Sequence, residues 1–185
     1  ESSAPDAQRA REYDEVTDQH VEVYARNNPE AKEFDFEGCT NLSNQAIWSV
    51  AEACGAHQER AEAEGLIVKR TLSLKGCAFI DDKGVESVAQ AIGKSLLHVD
   101  LQGLPKVTVK GVAQLVMRSK DLDIVPAGDA KEKDTSSGQI IVSSELNAKI
   151  QELMGEGDKT TALTHLLTRS LTHTHTHSFT RAHTP

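Results

Sequence analysis

The chain has 185 residues and sets 20 Lys+Arg against 28 Asp+Glu, a net charge of −8. An acidic chain without a basic cluster argues against nucleic-acid binding through phosphates and against adhesion to an anionic membrane. No apolar run approaches the ~18 residues that span a bilayer. Leu, Val, Ile and Phe make up 42 of the 185 residues, just above the roughly 20% line below which disorder becomes the default. There is apolar material for one modest core, not for 185 packed residues. The three cysteines, Cys39, Cys54 and Cys77, are odd in number and lie among apolar neighbours. They read as free, buried thiols of an intracellular, reducing compartment. The first residue is Glu1, which fits a removed targeting segment and a trimmed start alike.

Residues 1–31 are polar, with Tyr13, Val16, His20 and Tyr24 at helical spacing. They predict a helical N-terminal cap with a narrow apolar stripe, ended by Asn27-Asn28-Pro29. Residues 32–127 then repeat one unit three times. The first copy is Phe34-Asp35-Phe36-Glu37-Gly38-Cys39, then Leu42-Ser43 and Ala46-Ile47. The second is Leu72-Ser73-Leu74-Lys75-Gly76-Cys77, then Ile80-Asp81 and Gly84-Val85. The third is Val99-Asp100-Leu101-Gln102-Gly103-Leu104, then Val107-Thr108 and Gly111-Val112. Gly38 to Ile47, Gly76 to Val85 and Gly103 to Val112 are each nine residues apart.

Each unit changes period in its middle. The first part alternates apolar and polar residues, as a short half-buried strand does. Glycine opens a turn. Ser43, Asp81 and Thr108 stand at helix N-caps, with side-chain oxygens able to accept a free backbone N–H. Helical stripes follow: Ile47, Val50, Ala51, Cys54; Val85, Val88, Ala89, Ile92; Val112, Leu115, Val116. The step from Gly76 to Gly103 is 27 residues and that from Gly38 to Gly76 is 38. The surplus, Ala56–Gly65, lengthens the first helix or bulges from it. A fourth strand at Leu122–Val125, ended by Pro126, is expected to cover the exposed edge of the third unit.

Residues 128–185 begin with a polar linker, Gly128 to Gly138. A short strand is predicted at Gln139–Val142, then a helix at Glu145–Met154 capped by Ser143 or Ser144, with Leu146, Ile150 and Leu153 on one side. Leu163, Leu166, Leu167 and Leu171 form a second amphipathic patch. A low-complexity Thr/His tail with His173, His175 and His177 ends the chain; it reads as a solvated or partner-held peptide, not a metal site.

LSLKGCAFIDDKGV and VDLQGLPKVTVKGV, with FDFEGCTNLSNQAI as a weaker copy, resemble the cysteine-containing class of leucine-rich repeats found in F-box substrate adaptors. The array is also similar to short mitochondrial leucine-rich-repeat proteins associated with ATP synthase and respiratory-complex assembly. The resemblance implies an α/β fold: a short solenoid of three to four strand–turn–helix repeats, a parallel sheet on its concave face, a helical N-terminal cap and an extended C-terminal segment. Leu104 departs from the pattern, replacing the cysteine of the third repeat.

In such a fold the alternate, non-core strand residues line the concave face. Here these are Glu33, Asp35 and Glu37; Thr71, Ser73 and Lys75; His98, Asp100 and Gln102; and Asp121 and Asp123. Six acids against one lysine suit a docking face for a basic protein segment. Cys39 and Cys77 follow glycine in equivalent positions, so stacking puts them in one buried column. The sole tryptophan, Trp48, is expected to pack against the segment after Cys54. No nucleophile–base pair, paired carboxylates, metal ligands or cofactor motif emerge. Gly155-Glu156-Gly157-Asp158-Lys159-Thr160 departs from a phosphate loop in spacing and carries acids that would repel phosphate. The expected function is non-enzymatic: a scaffold, accessory or assembly subunit of a large multi-subunit complex, a mitochondrial one by the second resemblance, whose partners are protein subunits with basic segments. The alternative is a substrate-recognition module of a ubiquitin-ligase adaptor.

Overall fold

The computed structural model describes residues 15–66, 68–119, 122–128 and 138–154. Among these residues the fold is α/β: five parallel strands and five α-helices. In chain order the elements are α1 (Asp18–Asn27), β1 (Glu33–Asp35), α2 (Asn44–Ala63), β2 (Arg70–Ser73), α3 (Asp82–Ile92), β3 (Leu96–Asp100), α4 (Val109–Arg118), β4 (Leu122–Pro126), β5 (Gly138–Val142) and α5 (Ser144–Met154). The surplus segment after Cys54 continues the helix, so α2 runs for 20 residues.

The register explains how alternation becomes a core. Phe34 pairs with Leu72, Leu72 with Val99, Val99 with Ile140, and Ile140 with Ile124, giving one apolar row across all five strands. Phe34, Leu72, Val99 and Ile140 are buried in one cluster with the helix stripes of Ile47, Val50 and Cys54 and of Val85, Val88 and Ile92. The helices pack in sequence order, α1 on α2, α2 on α3 and α3 on α4.

The turns are repeated in geometry as well as in sequence. Gly38, Gly76 and Gly103 have φ of 80°, 81° and 69°, a region that favours glycine. They also stack: Gly38 N–H donates to the Lys75 carbonyl at 2.8 Å, and Gly76 N–H to the Gln102 carbonyl at 2.9 Å. A Cβ on Gly103 would lie 3.4 Å from the backbone of Gly76. Each helix starts at its expected cap. Ser43 Oγ accepts from Gln45 N–H at 3.2 Å, Asp81 Oδ1 from Lys83 N–H at 2.8 Å, and Thr108 Oγ1 from Lys110 N–H at 3.2 Å.

A ladder that the sequence did not announce ties these caps together. The first residue of each helix reaches the cap of the next. Asp18 accepts from Ser43 N–H at 2.8 Å and from Ser43 Oγ–H at 2.5 Å. Asn44 Nδ2 donates to Asp81 Oδ1 at 2.8 Å and its Oδ1 accepts from Asp81 N–H at 3.1 Å. Asp82 accepts from Thr108 N–H and Oγ1–H, both at 2.7 Å, and from Gly111 N–H at 3.2 Å. The first residue of α4 is Val109, which has no polar side chain to continue the series.

Three expectations are corrected. First, β4 does not cover the edge of the third unit. The strand order is β1-β2-β3-β5-β4, and β5, from the segment after the polar linker, lies between β3 and β4. The exchange follows composition. Gly138, Gln139, Ile140 and Val142 are buried, and Ile140-Ile141-Val142 is a β-branched run that suits a strand flanked by neighbours on both edges. β4 carries Asp123 and Pro126, and proline, lacking an N–H, is tolerated at a sheet edge.

Second, the N-terminal stripe is turned from its expected setting. Val21 and Ala25 are buried, and Tyr24 is 49% exposed; Tyr24 meets Phe34 edge-on, with ring centroids 6.2 Å apart. Tyr13 lies outside the described residues. Third, Trp48 is 44% exposed, because the segment after Cys54 extends along the α2 axis instead of folding back over it. In α5, Ile150 is fully buried and Leu146 packs on the core, while Leu153 is exposed. Ser143 Oγ accepts from Leu146 N–H at 3.3 Å. The second amphipathic patch and the Thr/His tail lie outside the described residues.

Candidate functional site

Opposite the helices, the sheet presents the alternate residues. Two rows cross it in register. One runs Glu33, Thr71, His98, Gln139, Asp123; the next runs Asp35, Ser73, Asp100, Ile141, Val125. Glu33, Asp35, Glu37, Thr71, Ser73, His98, Asp100, Gln139 and Ile141 line a trough of about 230 Å³. Glu33, Asp35, Glu37, His98 and Asp100 are thus brought together in one trough. Lys75 joins them through an ion pair of 2.5 Å from its Nζ to Glu37 Oε1. Asp123 stands on β4 beside Gln139 in the register. Asp121 lies outside the described residues.

Local chemistry sets the carboxylates. Asp35 Oδ1 accepts from Glu37 N–H at 3.0 Å, and Asp100 Oδ1 from Gln102 N–H at 2.9 Å. Each carboxylate closes the turn two residues on, which orients it at the strand end. Asp100 Oδ2 also accepts from Gln102 Nε2 at 3.2 Å. Burial pushes the Asp100 carboxyl above its ordinary value, against the pull of Gln102 N–H and of the Lys75 charge. Lys75 is held above its ordinary value, first by the hydrogen bond to Glu37 and then by the charges of Glu37, Asp100 and Asp35. Among the described residues, the ammonium of Lys75 thus meets a face that carries the carboxylates of Glu33, Asp35, Glu37 and Asp100.

Residues that the sequence reading did not place in the trough come from β5. Gln139 is 5% exposed. Its Oε1 and the Nε2 of His98 are buried without a hydrogen-bond partner among the described residues. The signal was present in sequence, since Gln139 is the polar residue that interrupts an apolar strand, but only the insertion of β5 beside β3 brings it to His98.

The thiols have the opposite character. Cys39, Cys54 and Cys77 are free and buried. Burial raises all three, and lifts Cys77 to about 12, with the neighbouring Cys39 adding to it. Cys77 Sγ–H donates to the Phe36 carbonyl at 3.1 Å, one unit away. These are inter-turn contacts, and a reactive thiol needs the reverse environment. Arg70, fully buried at the start of β2, donates to Gln58 Oε1 at 2.8 Å, Ser95 Oγ at 3.2 Å and the Pro29 carbonyl at 3.2 Å. It joins α2, β2 and the loop after α1. Among the described residues no group of three or more His, Cys, Asp or Glu side chains could hold a metal ion, and no helix is long and apolar enough to cross a membrane. No protein-family model matches the chain, and no curated protein matches it.

Proposed function

We propose that the chain is a short leucine-rich-repeat solenoid acting as a non-enzymatic protein-interaction scaffold, an accessory or assembly subunit of a larger complex. The repeated strand–glycine–helix geometry, the stacked turns and the cysteine column support the repeat assignment. The observation that carries the functional reading is the set of carboxylates gathered on one sheet face, Glu33, Asp35, Glu37 and Asp100, around a single lysine. A negative surface of this kind steers and orients a basic protein segment, and solenoids bind through the face that their strands line.

The test is size-exclusion of native extract with detection of this chain. Elution far above 20.1 kDa with defined companions is expected, and Asp35→Lys with Glu37→Lys releases the chain from them. Elution as a free monomer overturns the assembly-subunit reading. Companions that form a ubiquitin-ligase core would instead make the chain a substrate-recognition module.

A further inference from the structure

We propose that His98 Nε2 and Gln139 Oε1, with the Asp100 carboxylate one step along β3, form a seat for the ε-ammonium of one lysine side chain of a protein partner. The inference rests on the docking reading above and narrows it to one group at one place.

His98 and Gln139 are register partners on neighbouring strands and line the same trough. Both have a buried polar atom with no hydrogen-bond partner among the described residues, and Gln139 is almost wholly enclosed. A buried polar atom left unpaired carries a desolvation cost that a ligand donor removes. Asp100 adds a carboxylate that is half-buried and raised by that burial, so a cation beside it offsets its desolvation.

The chemistry of the seat selects the guest. With its proton on Nδ1, the neutral imidazole offers Nε2 as an acceptor. The trough then presents an imidazole nitrogen, an amide oxygen and a carboxylate. An anion is repelled by Asp100, Asp35 and Glu33. An ammonium has three donors in tetrahedral array; acceptors at ~2.8 Å on two of them lie about 4.6 Å apart. Neighbouring strands are separated by about 4.7–4.9 Å, a spacing of the same order for register partners on β3 and β5. A guanidinium's planar fork prefers two acceptors on one carboxylate, whereas these come from three side chains. The chain's own Lys75 is committed to Glu37 at 2.5 Å.

The test uses the full chain, isotopically labelled, titrated at constant ionic strength with the peptide acetyl-Gly-Gly-Lys-Gly-Gly-amide and with its Nε-acetyl-lysine and arginine counterparts. The lysine peptide should move the His98 imidazole nitrogen and the Gln139 carboxamide signals saturably, in the ~millimolar range expected of one such contact. The acetylated peptide should move neither. Gln139→Met should weaken the lysine peptide about tenfold, as the loss of one hydrogen bond to a charged group does, and Gln139→Glu should strengthen it. If Gln139→Met does not fold, Gln139→Glu carries the comparison. Shifts confined to Glu33, Asp35 and Glu37 would leave basic-segment docking standing and overturn the seat. An equal response to the arginine or acetylated peptide also overturns it. Signals at His98 and Gln139 that depend on protein concentration alone would assign the trough to a second copy and overturn a separate partner. No response anywhere on this face overturns both the seat and the docking reading.

Discussion

Asn44 and Asp81 clasp each other through two hydrogen bonds, amide to carboxylate at 2.8 Å and backbone N–H to amide oxygen at 3.1 Å. The pair shows how the ladder chooses its residues. Where the next cap is a serine or threonine, which brings a hydroxyl donor, the preceding helix supplies an aspartate: Asp18 for Ser43 and Asp82 for Thr108. Where the next cap is itself a carboxylate, an amide takes that place, because an amide donates as well as accepts, which an ionised carboxylate does not. Asn44→Asp would set two carboxylates against each other and should cost about 2–3 kcal/mol. Urea unfolding at pH 7 measures this; the loss should shrink in acid as the new carboxyl takes up a proton. An unchanged midpoint would show that the clasp contributes nothing.

Partial burial pushes Asp81 up, but Asn44, the N–H groups of Lys83 and Gly84 and the Lys83 charge together outweigh it, and the carboxyl is held below its ordinary 3.8. Its folded value is therefore lower than its unfolded one. The stabilisation is fully present above ~pH 4 and is lost as pH falls through the folded value. Asp81→Ser keeps a capping oxygen and should flatten this acid limb of the stability–pH curve.

The Asp82 carboxylate constrains a glycine. A Cβ at Gly111 would lie 2.6 Å from Asp82 Oδ1, and that oxygen is bonded to Thr108 and Gly111 N–H. Glycine to alanine inside a helix ordinarily gains up to ~1 kcal/mol. Gly111→Ala should instead lose about 1 kcal/mol, because the carboxylate must leave its partners. In Asp82→Ala the same substitution should recover its ordinary gain, a sign change that a double-mutant cycle reads directly.

Asp100 titrates in the opposite sense. Its folded value is raised by burial, so the ionised group weakens the fold above that value and does so no longer below the unfolded value near 3.8. Asp100→Asn keeps an acceptor for Gln102 N–H. It should stabilise the protein at pH 7 by roughly a fraction of 1 kcal/mol after solvent screening, and the gain should disappear below ~pH 4. A gain that persists in acid would point to packing instead of charge.

The three thiols should resist labelling in the native state at pH 8. With Cys77 near 12, roughly one thiolate in ten thousand is present there, and the thiolate is the reacting species. All three should react in urea. Prompt native labelling of Cys77 would contradict its enclosure.

Trp48, 44% exposed on α2, tests the helical surface. Trp48→Ser should change stability by no more than roughly 0.5 kcal/mol, as surface substitutions do. If this face also contacts a companion, the same change weakens co-elution, since exposed tryptophan is a preferred interface anchor. Native fluorescence should be open to quenching by acrylamide.

The periodicities by themselves determined the units. Alternation at Phe34–Phe36, Leu72–Leu74 and Val99–Leu101, glycine at a common offset, and the capping oxygens of Ser43, Asp81 and Thr108 are local properties, and local steric and hydrogen-bonding rules act wherever they occur. The acidic face was legible for the same reason: once the apolar residues of a strand turn inward, Glu33, Asp35 and Asp100 must turn outward. Sheet order was not legible, because it depends on which strand can pair along both of its edges. Ile140-Ile141-Val142 meets that demand better than a strand ending in Pro126, though it comes later in the chain. The same long-range decision placed Gln139 beside His98. The Asn44–Asp81 clasp and the exposure of Trp48 likewise depend on how one helix lies against the next, and only the tertiary structure fixes that distance.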